Sequence, residues 1–328
     1  MKTLAVSIPT YKRPELLRQC LEALAKQCEH YDVNIYVYDD SCSDINKSVY
    51  ADLCNCFPGI VVSYNQVNLG IDRNIDQCFT APEAQYVWVM GEDDLVREGA
   101  IETVMQVLTV SHPKYLFVNY QFISDDYRTL FRVAGEEASD GPCKAGKFFG
   151  MFGWATGFIG ANVVNKSLWD IDAPDYMGTY FNHVGKIFSR LSPLDSVEVV
   201  AKPLVYNRAE SLESTSWGKD CFAVIAGFGK MIQALVRNHP EWTEEAQRGL
   251  LKFEEKRNTH SLKFVLMLRA LGYYDLATYR CHLAGQQLWP FYALVAVMPV
   301  AILRPLHKYY RFMKAHQGNH NSQGQGSI

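Results

Sequence analysis

A chain of 328 residues, 48% hydrophobic, 20% charged and 13% aromatic, suits one large folded domain or one domain with a helical appendage. Its formal charge of −3 removes the general basic footprint of a nucleic-acid binder. Nine scattered cysteines with no Cys-x-x-Cys pair read as reduced thiols, not as a disulfide framework or zinc site, and the short apolar run after Met1 does not make a secretory signal. A cytoplasmic location is expected.

Leu4 to Ile8 is an apolar run that ends at Pro9-Thr10-Tyr11, and from Pro14 the residues Leu16, Leu17, Cys20, Leu21 and Leu24 recur at helical spacing. Val33 to Tyr38 reads as a second strand, Asp39 to Asp44 as a polar loop and Asn46 to Cys56 as a helix. Ile60 to Tyr64 is a third strand, after which Asn68-Leu69-Gly70 opens a helix through a glycine turn. Tyr86 to Met90 is a fourth strand, and it ends in Glu92, Asp93 and Asp94. Strands alternating with helices in this way predict a mainly parallel sheet covered on both faces. Ligands of such sheets lie beyond the carboxyl ends of the strands, where Tyr11, Asp40 and Asp94 fall. Three adjacent carboxylates repel one another unless a positive group sits among them. Hard Mg²⁺ or Mn²⁺ takes one or two carboxylates together with phosphate oxygens; an acidic turn at a helix N-terminus is the other reading that these residues allow.

Tyr115 to Phe122 reads as a further strand and Ser124 to Gly141 as a loop or hairpin. Gly146, Gly150, Gly153, Gly157 and Gly160 then punctuate a poor helix interior, with Trp154 to Asn162 expected to form either an acceptor-side loop or tight packing turns. Asn207 to Trp217 is polar and reads as a loop able to fold over a diphosphate, Arg208 and Trp217 having most to offer it. From about Cys221 the chain reads as helical, through Leu250 to Leu271 and Leu276 to Leu288. The most apolar run, Leu288 to Leu303, is interrupted by Pro290 and Pro299 and is shorter than the roughly 20 residues of a spanning helix. With Arg304, His307, Lys308, Arg311 and Lys314 beside it, the segment 288–314 is expected to lie in a membrane interface, or else to be a core or docking helix. The tail from His316 to Ile328 is expected to be disordered.

Taken together, Val6-Ser-Ile-Pro-Thr-Tyr-Lys-Arg13, Tyr38-Asp-Asp-Ser-Cys-Ser-Asp44, Asn68-Leu-Gly70 and Gly91-Glu-Asp-Asp94 resemble the motifs of family 2 glycosyltransferases over residues 1 to about 125. A weaker likeness runs to about 217, where Trp154 to Asn162, Tyr180-Phe-Asn-His-Val184 and Asn207-Arg208 resemble the branch that includes O-antigen abequosyltransferases. The resemblance implies a GT-A fold over residues 1–217, a Rossmann-like, mainly parallel mixed sheet flanked by helices. A helical region at 218–315 and the tail 316–328 follow.

It also implies inverting transfer from a nucleotide-diphosphate sugar with Mn²⁺ or Mg²⁺. By motif, Pro9, Thr10 and Tyr11 line the nucleobase site, Tyr11 as a stacking platform, and Asp40 accepts the base N–H; Arg13 and Asn74 are further candidates for that pocket. Asp93 falls near the ribose and the metal, and Asp94 binds the metal. Gly91 stands where an aspartate is common, and Glu92 fills a variable place. Arg208 joins the metal in stabilising the departing diphosphate. The family's base is an Asp or Glu about 90 residues beyond the metal motif. No carboxylate stands between Asp175 and Asp195, so His183 becomes the candidate base, with Asp172 and Asp175 as runners-up. Trp154, Gly157, Asn162 and Trp217 are expected on the acceptor side.

The expected protein is therefore a glycosyltransferase of surface polysaccharide or O-antigen assembly, acting on a lipid-linked saccharide at the cytoplasmic face of the inner membrane. A sugar-nucleotide pyrophosphorylase is the enzymatic alternative, although Pro9 to Arg13 lacks its glycine-rich phosphate loop. A degenerate nucleotide-sugar-binding scaffold is the non-enzymatic one.

Overall fold

A computed structural model describes residues 2–123, 129–132, 137–169, 176–208, 221–257, 261–283, 289–307 and 309. In chain order its elements are β1 (Lys2–Thr10), α1 (Pro14–Cys28), β2 (Val33–Asp39), α2 (Lys47–Cys56), β3 (Ile60–Tyr64), α3 (Ile71–Thr80), β4 (Ala84–Val89), β5 (Leu95–Val96) and α4 (Ala100–Ser111). Then come β6 (Tyr115–Ile123), β7 (Thr129–Arg132), β8 (Gly141–Lys144), α5 (Ala145–Phe152), β9 (Asn162–Asn165), α6 (Lys166–Trp169), α7 (Asn182–Ser189) and β10 (Ser196–Arg208). Five helices follow: α8 (Cys221–Asn238), α9 (Thr243–Arg257), α10 (Leu262–Leu271), α11 (Leu276–His282) and α12 (Trp289–Val297); a further helix, α13 (Val300–His307), comes after Pro299.

The ten strands among the described residues join one sheet, in the order β3-β2-β1-β4-β9-β6-β10-β5, with β7 on β6 and β8 on β10. The pairs β3–β2, β2–β1 and β1–β4 are parallel, β9 runs antiparallel between β4 and β6, and β10 is parallel to β6. Leu4 to Val6 and Trp88 to Val89 are wholly buried, as continuous apolar strands covered on both faces require. The strand order reverses between β1 and β4, because α1 and α2 carry the chain one way from β1 while α3 carries it back past β1. Right-handed crossovers put these connections on opposite faces and leave a crevice at the reversal. In register, Thr10 stands beside Asp39 and Ser7 beside Val89, so the loops after β1, β2 and β4 share that crevice.

Two expectations change. The glycine-rich stretch opens as a helix, α5, followed by short 3-10 turns at Gly153–Ala155 and Ile159–Ala161. Its glycines serve close packing: a Cβ on Gly146 would stand 3.0 Å from both Glu245 Cγ and Pro193 Cβ. Asn207 and Arg208, expected in a polar loop, end β10 in register with Phe122 and Ile123.

By compactness the chain forms two units, Met1–Ala209 with Ala226–Phe253, and Glu210–Ile225 with Glu254–Ile328. Most of α8 and α9 belongs to the first unit. There Phe149, Phe188 and Trp242 pack edge to face against one another, Tyr115 of the sheet packs edge to face on Phe148 and Phe188, and Phe148 stacks on Phe188 and tilts against Phe117, a large buried aromatic area. The second unit has its own core of Val265, Leu268, Tyr274, Tyr292, Val295 and Ala296. Helices α12 and α13 meet at 97°, and among the described residues no single helix is long and apolar enough to cross a membrane. The tail 316–328 lies outside the described residues.

Candidate active site

Strand β4 ends in a tight acidic turn. The Asp94 amide donates to the Gly91 carbonyl at 3.1 Å, and the Gly91 amide donates back to Asp94 Oδ2 at 3.0 Å. A Cβ on Gly91 would stand 2.6 Å from Asp94 Oδ2 and 3.0 Å from Asp93 Oδ1, so glycine here is what lets two carboxylate oxygens gather at one point. Burial, and then the charge of Asp93, hold the Asp94 carboxyl well above the ordinary range, while Arg208 and the Gly91 amide pull it down. An added positive charge would relieve this crowding.

Glu92 points the other way. Its Oε2 accepts from Thr10 Oγ1 and from the Tyr11 amide at 2.9 Å, and Arg13 Nε lies 3.6 Å from its Oε1. Arg13 Nη1 also donates to Asp93 Oδ2 at 3.0 Å. One carboxylate thus pins the end of β1 to the acidic turn, and one guanidinium bridges two acids. Burial pushes Glu92 up to about 7, against the pull of Thr10, Tyr11 and Arg13. Tyr11, at the end of this strand, is 47% exposed, and its ring faces solvent with Lys12 Nζ 5.0 Å from its centroid. Lys12 adopts φ of 58°, an uncommon left-handed conformation, and its amide donates to Ser41 Oγ at 2.8 Å.

Asp39 and Asp40 divide their work. Asp39 accepts from the Ser41 amide, Asn46 and Tyr50 and so shapes the loop after β2. Asp40 accepts from the Leu69 amide at 2.7 Å, the Gly70 amide at 3.0 Å and Asn65 Nδ2 at 3.0 Å, which fastens the glycine turn ahead of α3. Gly70, at φ of 77°, is the residue that conformation favours. Asn74 donates to the Tyr38 carbonyl and accepts from Gln77, tying α3 to the end of β2.

Arg208 comes in from the end of β10, donates to Gln19 on α1, and lowers both Asp94 and Cys20 by its charge. Cys20 donates to the Gly91 carbonyl at 3.5 Å, and burial beside the three carboxylates keeps its thiol protonated. Beneath the acidic turn lies the Gly153–Ala161 stretch: Trp88 Nε1 donates to the Gly160 carbonyl at 2.8 Å, and a Cβ on Gly160 would stand 3.6 Å from Asp94 Oδ2. Asn162 is wholly buried and spends its side chain on this stretch, donating to the Thr156, Phe158 and Ile159 carbonyls and accepting from Tyr115 Oη. Gly157 leaves room for the Phe181 ring, and Trp154 Nε1 donates to the Met151 carbonyl. These contacts fit the tight-packing reading of the glycines.

His183 is 1% exposed, with Nε2 3.2 Å from the Thr156 carbonyl, and burial pushes it down to about 4. An imidazole so placed is neutral at ordinary pH and braces the turn that abuts Asp94. Trp217, Asp172 and Asp175 lie outside the described residues. Glu92 is the residue whose role the sequence left open; its position inside the acidic run was the available signal, but the direction of its carboxylate was not.

The sites expected at the ends of β1, β2 and β4 therefore meet, with Arg208 added from β10. In the curated relatives, abequosyltransferase RfbV of Salmonella typhimurium is 26% identical over 65% of this chain and 68% of its own length. TarS 1–349 of S. aureus, solved in complex with UDP-GlcNAc, superposes with a TM-score of 0.58 at 13% identity, covering 94% of this chain and 91% of that one. Mannosyltransferase PcManGT from Pyrobaculum calidifontis, solved with GDP-Man and Mn²⁺, gives 0.55 at 12% identity over 97% and 84%. At such identities the two structures establish the fold, which is GT-A. The profile of glycosyl transferase family 2 matches residues 5–170, from β1 through the acidic turn and the glycine-rich stretch, and the chain belongs to that family of glycosyltransferases.

Proposed function

We propose that this protein is a metal-dependent, inverting glycosyltransferase that moves a sugar from a nucleotide-diphosphate donor to a lipid-linked saccharide during surface polysaccharide assembly. The observation that carries the reading is the linkage of Thr10, Tyr11, Arg13, Glu92 and Asp93 into one ion-paired corner, with Asp94 and Arg208 beside it. The exposed Tyr11 ring supplies a stacking face for the nucleobase at one side of this corner. The carboxylates supply hard oxygen donors at the other.

Asp93 and Asp94 fit a divalent cation. Their oxygens converge around Gly91, and two carboxylates leave the remaining positions of Mn²⁺ or Mg²⁺ to phosphate oxygens. When bound there, the cation neutralises charge on the departing diphosphate. Arg208 adds a fixed positive charge on the same side, and Glu92 with Arg13 holds the end of β1 against the acidic turn. Burial and the Thr156 bond of His183 favour a positioning role over proton abstraction. The lipid-linked acceptor and a peripheral seat on the cytoplasmic face of the inner membrane rest on the apolar, basic segment 288–314. Family membership decides against a pyrophosphorylase.

The test is a thermal-shift panel of UDP, CDP, dTDP and GDP with Mn²⁺, Mg²⁺ or chelator, since a ligand of the folded state raises its stability by mass action. A cation-dependent rise with one diphosphate is expected. No rise with any of them sinks the donor-site reading.

A further inference from the structure

We infer that the second unit holds a binding pocket for one hydrocarbon chain of an anionic membrane phospholipid. The inference rests on the membrane-seated reading above and gives it a specific site. Helices α10 and α13 flank a pocket of about 770 Å³ that is open to the surface, lined on its apolar walls by Leu266, Met267, Leu303 and Leu306, with Ser261, Lys263 and His307 as polar members of the lining. That volume is in the range of sites that enclose a small ligand, roughly 300 to 1,000 Å³. Its lining is overwhelmingly apolar, which suits an occupant of matching chemistry.

The frame around the cavity is braced by polar ties. Arg269 Nε donates to the Met298 carbonyl at 2.8 Å and its Nη1 to the Tyr274 carbonyl at 2.9 Å, while Arg304 Nε reaches the Ala270 carbonyl at 3.5 Å. These guanidinium bonds hold the corner between α12 and α13 to α10, so the cavity has a built edge. Leu306 both lines the cavity and is 60% exposed, which opens the cavity onto the surface that α13 presents. Phe291, Leu294, Val297 and Ile302 are also more than half exposed on these two helices. An apolar surface of this kind suits the boundary between headgroups and acyl chains.

Charge selects the headgroup. Asp275 is the last acidic residue in the sequence; beyond it stand Arg280, Arg304, Lys308, Arg311 and Lys314 with no Asp or Glu among them. Such a stretch favours anionic lipid. Lys263 and His307 belong to the lining itself and give the pocket a polar end for a headgroup phosphate.

The experiment uses the full-length protein and dodecyl phosphate below its micellar concentration, titrated calorimetrically beside dodecanol and inorganic phosphate. Saturable binding of one dodecyl phosphate is expected, with dodecanol at least tenfold weaker and inorganic phosphate giving no heat. Leu303→Trp and Ala270→Phe, which fill the cavity from two sides, are each expected to weaken binding at least tenfold; Lys263→Glu is expected to weaken dodecyl phosphate but not dodecanol. A variant counts only if its unfolding transition stays cooperative and its diphosphate response matches the parent, and Leu303→Trp, at a partly exposed position, keeps the test alive if Ala270→Phe does not fold.

No binding by the parent, or unchanged binding in a folded filled variant, overturns the pocket. A tenfold or greater preference for farnesyl phosphate overturns its assignment to bulk phospholipid and gives it to an isoprenoid carrier. The donor-site panel is read separately, so loss of the diphosphate response and loss of lipid binding are distinguishable failures.

Discussion

Gly91 and Asp94 form a matched pair, because the carboxylate of one occupies the space that a side chain on the other would need. Restoring the aspartate common at this place in the family is therefore expected to harm the site. Gly91→Asp should displace the Asp94 carboxylate and weaken cation-dependent diphosphate binding at least tenfold, as read by titration with Mn²⁺; equal or tighter binding would show that the turn accommodates the change. Asp94→Asn removes the buried charge itself and is expected to abolish the cation-dependent part of the thermal shift and to lower kcat by about 10²-fold or more. His183 gives a pH test. Its folded value, near 4, lies below the ordinary 6.5, so the unfolded chain binds the proton more readily and stability is full above pH 6.5 and lost as pH falls toward 4. The loss amounts to about 3 kcal/mol by that point, and it should be absent in His183→Gln, measured by urea unfolding at pH 7 and pH 4.5. A kcat profile whose acid limb disappears in His183→Gln would instead assign proton abstraction to this residue. Thr10, Tyr11, Asp40, Asp93 and Asp94 were legible because polar residues that end apolar strands fall at one edge of a parallel sheet. The aim of Glu92 and the enclosure of His183 were not, since both are set by partners 81 and 27 residues away in sequence.

Among the elements, β1, β2 and β3 are readable as short apolar runs bounded by turn residues, and α1 as a helix opened by Pro14. Helix α5 is not, because Gly146 and Gly150 lower helix propensity and the gain that outweighs them is the close approach of α9, a partner about 100 residues later. Strand β10 hid for a related reason: a register shift between Val200 and Val205 breaks its alternation, and its polar end, Asn207-Arg208, reads locally as loop. The same principle of close approach marks α8, where a Cβ on Gly227 would stand 2.0 Å from the Thr179 carbonyl oxygen. Backbone cannot swing aside as a long side chain does. Gly227→Ala is therefore expected to cost about 3 kcal/mol, whereas Gly229→Ala, which meets nothing within 4 Å, should stabilise the helix slightly. Chemical denaturation of the two variants checks this, and equal effects would mean that α8 does not dock on the Thr179 loop.

At the scale of the whole chain, the informative quantity is the distribution of charge along it. The chain carries −3 in all, and the residues after Asp275 carry +5 by Lys and Arg, which leaves −8 for residues 1–275. An acidic catalytic part and a basic, apolar end respond oppositely to an anionic bilayer: the first is repelled, the second attracted, and the attraction is worth about 1 kcal/mol per basic residue near the surface. Salt shortens the range of both, from about 10 Å at 0.1 M to about 3 Å at 1 M. Flotation with phosphatidylglycerol-rich vesicles is therefore expected to recover the full-length protein at 0.1 M salt and to lose at least tenfold in apparent affinity at 0.5 M. Phosphatidylcholine vesicles should bind weakly at both salts. Exchanging Lys308, Arg311 and Lys314 for glutamine should reproduce the effect of salt while the diphosphate thermal shift stays unchanged, because residues 5–170, which match the transferase family, are untouched. Equal recovery on both vesicle types, indifferent to salt, would assign the association to the exposed apolar residues of α12 and α13 alone, and recovery on neither would place this protein away from the bilayer.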